Sequence, residues 1–200
     1  MLVGKRMTKK PVTTTPDEYL GTVMAAMEKG GFRHMPVTKG GKLVGIVTDR
    51  DTRQHIGFLE KTKVNAAMTE NAVTVTPQTT LEEAAQLLLK QKIGSLPVVH
   101  EGKLVGIITS SDILQAFLEV MGVEEEGTAR IDILLKGEEQ DLTTASETIS
   151  VEGGEILSVG TYREKWGDDP ICYLRVRQGD PEKIAEALRK RGYTILGVHV

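Results

Sequence analysis

Two short stretches of this chain carry the side chains best suited to hold a ligand. Gly45-Ile-Val-Thr48-Asp-Arg-Asp51 and Gly106-Ile-Ile-Thr109-Ser-Ser-Asp112 share the frame Gly-Ile-x-Thr-x-x-Asp. In each, an apolar run ends at a threonine and an aspartate follows three residues later. A threonine that opens a helix sits among free backbone N–H groups, where the dipole attracts anions such as phosphate. The aspartate lies one turn on, along the same side. A carboxylate next to an anion site repels phosphate and needs another partner. A ribose diol offers two hydroxyl donors and meets that need. Thr48 with Asp51, and Thr109 with Asp112, therefore read as grips for the phosphate and sugar of a nucleotide. A threonine N-cap with an acidic first turn gives the same pattern on many helices. One copy alone favours the capping reading; two copies in one register favour the nucleotide.

The copies belong to a longer repeat. Sliding the chain by 61 residues lays Met7–Asp51 on Met68–Asp112 without a gap, with 18 of 45 pairs identical where ordinary composition gives about three. Tandem units often fail to close a core alone and pack on each other. The seam between two similar surfaces is a natural ligand cleft.

The elements that would position these residues follow one order. A β-prone piece comes first, Val12–Thr15 and Val73–Thr76. Pro16 and Pro77 mark a turn and a helix start. The second helix has Thr80 as N-cap and Leu81, Ala84, Ala85, Leu88 and Leu89 at helical spacing. The first uses Leu20, Val23, Met24 and Met27 and stops at Gly30-Gly31. Two strands then meet across Gly40-Gly41 and across Glu101-Gly102, where glycine suits a tight hairpin. The second strand of each pair is a continuous apolar run, expected to be buried on both faces. Short helices follow Thr48 and Thr109. Met121–Gly127, with three consecutive acids between glycines, reads as a linker. Residues 128–200 read as β-α-β-β-α-β, a split-βαβ, ferredoxin-like order.

Composition narrows the function. Hydrophobic content of 40% and charge of 26% describe a globular chain. Aromatic content of 4% argues against a stacking surface for single-stranded nucleic acid. Net charge is +3 over residues 1–120 and −6 over 121–200, so the tail has no nucleic-acid footprint, while the mildly basic repeats suit a phosphorylated small molecule. The single cysteine, Cys172, lies in a strand-like run and reads as a buried, inert thiol. No secretory h-region and no membrane-length apolar run is present, so a cytoplasmic location without membrane contact is expected. His34, His55, His100 and His199 lack metal-ligand spacing.

At the two Gly-Ile-x-Thr-x-x-Asp segments the chain resembles a tandem pair of cystathionine-β-synthase (CBS) domains, a Bateman module. Arg33-His-Met-Pro-Val37, Gly94-Ser-Leu-Pro-Val98 and the two Met-Thr starts agree. The resemblance implies an α+β chain of CBS repeats over 1–60 and 61–120, a linker over 121–127, and a separate unit over 128–200. It also implies two pseudo-symmetric clefts for adenine nucleotides and a homodimer built as a flat disc. It assigns Thr48 and Thr109 to phosphate, Asp51 and Asp112 to ribose, and the backbone near Val12-Thr13 and Val73-Thr74 to adenine. Arg33 and His34, before Pro36, would reach a phosphate beside Asp112. The other repeat has Gly94 and Ser95 before Pro97 there, with Arg50 compensating near Asp51, so the clefts are unequal and the one at Asp112 is expected to bind more strongly. Ser111 completes the candidate set. The tail unit resembles an ACT domain in element order. The Pro-Gly loop usual after its first strand is replaced by Lys136-Gly-Glu-Glu-Gln-Asp-Leu142, which leaves amino-acid binding and pairing alone both open. The CBS–CBS–ACT order resembles the acetoin-utilisation B family.

The functional expectation is a non-enzymatic regulatory sensor. It would bind AMP, ADP, ATP or S-adenosylmethionine without an obligatory cofactor or metal. It would form a homodimer through the CBS pair and the ACT-like domain and signal to a regulated protein not yet identified. The alternative is a dimerisation scaffold with vestigial clefts. An enzyme is the remote choice, because no base or metal site is specified.

Overall fold

A computed structural model describes residues 1–135 and 141–200. The chain divides into two compact units, Met1–Leu114 and Gln115–Val200.

In the first unit each repeat runs short strand, helix, strand, strand, helix. The first repeat has α1 (Val3–Arg6), β1 (Thr8–Lys9), α2 (Leu20–Gly30), β2 (His34–Lys39), β3 (Lys42–Thr48) and α3 (Asp49–Arg53). The second has a 3-10 turn (Val64–Ala66), β4 (Thr69–Glu70), α4 (Leu81–Gln91), β5 (Ser95–His100), β6 (Lys103–Thr109) and the start of α5 (Ser110–Val120). Both hairpins turn through two residues of positive φ, Gly40 and Gly41 in one and Glu101 and Gly102 in the other. That geometry matches the twist of the flanking strands. Thr80 caps α4 as expected: its side chain accepts from Glu83 N–H (3.2 Å) while the Glu83 carboxylate accepts from Thr80 N–H (3.0 Å).

The repeats exchange their first strands. β4 pairs with β3, and β1 pairs with β6, so each three-stranded sheet draws on both repeats. This close crossing explains the glycine of the repeated frame. A Cβ at Gly45 would lie 2.7 Å from the Thr69 carbonyl oxygen, and one at Gly106 would lie 3.0 Å from that of Thr8. Gly45, Ile46 and Val47 are buried in succession, so β3 is covered on both faces there. The core of the first repeat gathers Leu20, Val23 and Met27 of α2 against Met35, Val37 and Val47 of its hairpin.

The expected strands at Val12–Thr15 and Val73–Thr76 shrink to single parallel bridges, Thr14 with Val37 and Val75 with Val98. Thr14 N–H donates to Pro36 O (3.1 Å) and Thr38 N–H to Thr14 O (2.9 Å); Val75 does the same between Pro97 and Val99. Extending such a ladder either way needs an N–H from Pro16 or Pro36, or from Pro77 or Pro97, and proline has none. The regular strands form instead at the Met-Thr starts.

The second unit is β7 (Thr128–Leu134), α6 (Leu142–Val151), β8 (Glu155–Tyr162), β9 (Ile171–Arg177), α7 (Pro181–Lys190) and β10 (Thr194–His199). Its antiparallel sheet has the order β10-β7-β9-β8. Ile131, Ile133, Leu174 and Val176 pack against Ile149 of α6 and Ile184 and Leu188 of α7. Asp141 and Asp180 cap the two helices, with Pro181 at the first position of α7. Cys172 is buried, and burial, with a lesser push from the Asp132 charge, raises its thiol to about 11. The division between units falls inside α5, earlier than the linker read at 121–127. Residues 121–123 bond back to the end of α5, and Met121 O accepts from Ser158 Oγ (2.7 Å), which ties this stretch to the second unit. Lys136–Gln140, the segment compared with the Pro-Gly loop, lies outside the described residues.

Candidate ligand-binding site

Both threonine–aspartate pairs adopt one geometry. Asp51 Oδ2 accepts from the N–H and the hydroxyl of Thr48, each at 2.8 Å, and Asp51 N–H donates to Thr48 Oγ1 at 3.4 Å. The corresponding distances at Thr109 and Asp112 are 2.7, 2.7 and 3.3 Å. The capping reading is thus realised in full. It does not use up the carboxylates. Among the described residues, Oδ1 of each aspartate accepts no hydrogen bond. One oxygen caps the helix while the other is left to receive a donor such as a ribose hydroxyl. The threonine hydroxyls already point their protons at the carboxylates. A phosphate in these sites would draw on backbone N–H groups and nearby cations, or compete for that proton.

Each pair stands in a cleft of its own. The cleft at Asp112 has a volume of about 450 Å³ and sets Thr109, Ser111 and Asp112 opposite Lys10, Pro11 and Val12, with Phe32, Arg33 and His34 between. The cleft at Asp51 has about 600 Å³ and sets Thr48, Arg50 and Asp51 opposite Asn71, Ala72 and Val73, with Lys92, Ser95 and Pro97 completing the wall. Both volumes suit a nucleotide-sized ligand. A 61-residue shift carries one lining onto the other. Each cleft takes its Thr–Asp pair from one repeat and its facing segment from the other, which the strand exchange makes possible.

Three expected residues fall outside. Thr13 and Thr74 line neither cleft. In extended chain successive side chains point to opposite sides, so Val12 and Val73 take the cleft side instead. Pro36 is buried in β2 opposite Ile46, although its counterpart Pro97 does reach a wall.

Arg33 and His34 need a further correction, because they line both clefts and not the Asp112 cleft alone. His34 is the cross-strand partner of Thr48, and Arg33 O accepts from Asp49 N–H at 3.0 Å, which holds both residues next to the Asp51 cleft as well. Gly94 also lines both clefts. A Cβ there would come within 2.9 Å of His34 Nε2, so the missing side chain is what lets the imidazole sit at the junction. Burial first, and the Arg33 charge second, hold His34 below its ordinary pKa, against the opposing pull of Asp49 and Asp51. It is neutral at pH 7.

The charge balance differs from the expectation too. The smaller cleft has Lys10 and Arg33 against Asp112. The larger has Arg33, Arg50 and Lys92 against Asp51, with Arg53 ion-paired to Asp49 at 2.9 Å. The larger cleft is the more cationic. Its helix α3 is only five residues long, so side-chain charge rather than dipole must attract an anion there. Lys10, Asn71 and Lys92 were missed from sequence. All three have positive φ, a chain reversal that polar residue types alone do not announce. Among the described residues, no group of three or more His, Cys, Asp or Glu side chains could hold a metal ion, and no helix is long and apolar enough to cross a membrane.

Comparison with known proteins adds to this geometry. The pattern of the CBS domain matches residues 3–57 and 64–119. An inosine-5′-monophosphate dehydrogenase of Korarchaeum cryptofilum is 35% identical over 124 residues, 60% of this chain, and the match spans only 25% of that enzyme. Among solved structures, CBSX2 in complex with AMP is 30% identical with a TM-score of 0.55, over 60% of this chain and 98% of that one. The CBS domain pair of protein MJ0100, in complex with 5′-methylthioadenosine and S-adenosyl-L-methionine, is 29% identical with a TM-score of 0.55, over 58% and 99%. A Vibrio cholerae protein described as an acetoin utilization protein (AcuB) is 34% identical with a TM-score of 0.56, over 63% and 96%.

Proposed function

The chain belongs to the CBS-domain family, and from that premise we propose that its first unit is a non-enzymatic sensor of adenosyl ligands. The observation that carries the reading is the paired carboxylate geometry: in two pseudo-symmetric clefts, one aspartate oxygen caps a helix and the other is free beside cationic side chains. Asp51 and Asp112 receive ribose hydroxyls through Oδ1. Arg33, Arg50, Lys10 and Lys92 face the phosphate or another anionic group. Val12 and Val73, with Phe32 and Ile93 near them, supply the apolar wall for the base. The AMP, S-adenosylmethionine and methylthioadenosine held by similar CBS pairs support this ligand class.

The sensor works as a homodimer in the cytoplasm and passes ligand occupancy to a regulated protein. Ile56, Phe58 and Leu114 support self-association, since these apolar side chains are 67%, 68% and 59% exposed. A ligand shifts the dimer only as far as its affinities for two states differ. Calorimetry with AMP, ADP, ATP, adenosine and S-adenosylmethionine, alongside light scattering, tests the reading. A dimer that binds an adenosyl ligand supports it. No binding of any of them at millimolar concentration sinks it, and a ligand-blind dimer would mark a scaffold instead.

A further inference from the structure

The two clefts share one cation, and pseudo-symmetry says there should be two. The 61-residue shift carries Arg33 onto Gly94. Both positions line both clefts, but only one of them has a side chain. The Arg33 side chain makes no ion pair among the described residues and is exposed, so it is available to a ligand on either side. We take the guanidinium, whose donors form a single planar fork, to serve one phosphate at a time. We infer that the clefts are antagonistic toward anionic ligands: filling one with a phosphate-bearing nucleotide engages Arg33 and weakens phosphate binding in the other. The inference rests on the adenosyl-ligand reading of the clefts and deepens it, since it turns two sites into one graded sensor.

Its chemistry makes a sharp distinction between ligands. Adenosine has no phosphate and makes no claim on Arg33, so two adenosines should bind independently. Two AMP molecules compete. The competition matters most to the smaller cleft, where Lys10 is the other cation, and less to the larger, which keeps Arg50 and Lys92. Direct repulsion between two phosphates across the shared wall is the rival cause of a weak second step. Removing Arg33 separates the causes, because it abolishes competition and leaves repulsion less screened.

The experiment is a set of AMP and adenosine titrations of the full chain at low salt. Asp51→Ala leaves the smaller cleft, and Asp112→Ala leaves the larger. The expected result is that the second AMP step of the unmodified chain is at least about fivefold weaker than the weaker single-cleft variant, the lower end of measured couplings between sites. With adenosine the second step should fall within about twofold of that variant, and with AMP on Arg33→Ala within about twofold of the weaker single-cleft variant that also carries Arg33→Ala, as for uncoupled sites. A second measurement needs no cleft variant. Fluorescently labelled AMP should leave the loaded protein faster into excess AMP than on simple dilution, and this difference should vanish in Arg33→Ala. If two AMP molecules bind without coupling, or if coupling persists or grows in Arg33→Ala, the shared-cation inference is overturned while the ligand reading stands. If neither ligand binds, both fall together.

Discussion

Asp112 has two jobs in the proposed site, and one substitution can separate them. Its Oδ2 accepts two hydrogen bonds from Thr109 and completes the cap of α5, while its Oδ1 accepts none among the described residues and the residue lines the cleft. Asp112→Ala removes both functions. Thr109 still accepts from the N–H of residue 112, so losing the reciprocal carboxylate bonds should cost about 0.5–1.5 kcal/mol of stability. Asp112→Asn keeps the shape and leaves an amide oxygen to accept from Thr109. The amide nitrogen then takes the cleft-facing position, where a carboxylate oxygen received the ribose. An amide nitrogen cannot accept from a ribose hydroxyl, so the hydrogen bond to a charged group, about 1.5–3 kcal/mol, is lost. The partly exposed site belongs at the lower end, and about 1.5 kcal/mol is roughly tenfold in affinity. The assay pairs calorimetry with thermal melting, in an Asp51→Ala background so that only the smaller cleft remains. Adenosine and 2′,3′-dideoxyadenosine serve as ligands, because they isolate the ribose from the phosphate. Asp112→Asn should melt within a degree or two of its background and bind adenosine about tenfold more weakly. Dideoxyadenosine should bind the aspartate form about as weakly as adenosine binds the asparagine form, with little further loss when both changes combine. If Asp112→Asn binds adenosine as well as its background does, and removing the ribose hydroxyls costs nothing, Asp112 is a helix cap and no more.

Three other outcomes follow from the geometry. Gly45→Ala drives a methyl group to 2.7 Å from the Thr69 carbonyl and should cost about 1–3 kcal/mol, a loss of several degrees in Tm; Gly106→Ala should cost less, because its nearest neighbour is the mobile Met7 sulfur and the Thr8 carbonyl stands off at 3.0 Å. Equal effects in a melting comparison would contradict the strand exchange as drawn. His34 is held below its ordinary value of 6.5, so below that pH the unfolded chain takes up the proton first. Its contribution to stability is complete above pH 6.5 and declines as pH falls, and His34→Gln should flatten that part of a urea-midpoint profile; an unchanged profile would refute the assignment. Cys172, buried and raised to about 11, should resist a thiol reagent at pH 8 until the second unit unfolds, and rapid labelling of the native protein would be the contrary result.

Much of the fold was legible because its signals are local and were written twice. Thr80 with Glu83, the two-residue hairpins and the Asp180-Pro181 start of α7 each satisfy backbone groups within a few residues, and the structure forms all of them. The Thr–Asp pairs were legible in the same way, since a capping pair needs only a spacing of three. What escaped depends on partners distant in sequence. The first strands were placed at the β-prone valines, yet Pro16 with Pro36, and Pro77 with Pro97, block a ladder there from both sides of the bridge. No single segment shows that block; it appears only when two prolines 20 residues apart are laid side by side.

The cleft at the seam follows the same division. What the two repeats have in common, Thr, Asp and the valine opposite, could be read because repetition lifted it above chance. What distinguishes the two clefts could not. Arg33 was assigned to one cleft from its place before Pro36, and its access to both depends on where Gly94 lies across the seam. Gly94 looked like the poorer half of a pair, a site lacking its arginine. In the folded unit that missing side chain is the space into which His34 fits, and it leaves Arg33 as a single cation between two sites. Duplication alone would give two equal clefts, each with its own arginine. Having one arginine where the repeat offers two positions makes the occupancy of each cleft depend on the other. The position where the repeats fail to match is therefore where this chain departs from a simple pair of binding sites, and Arg33 and Gly94 are the residues at which that departure can be tested.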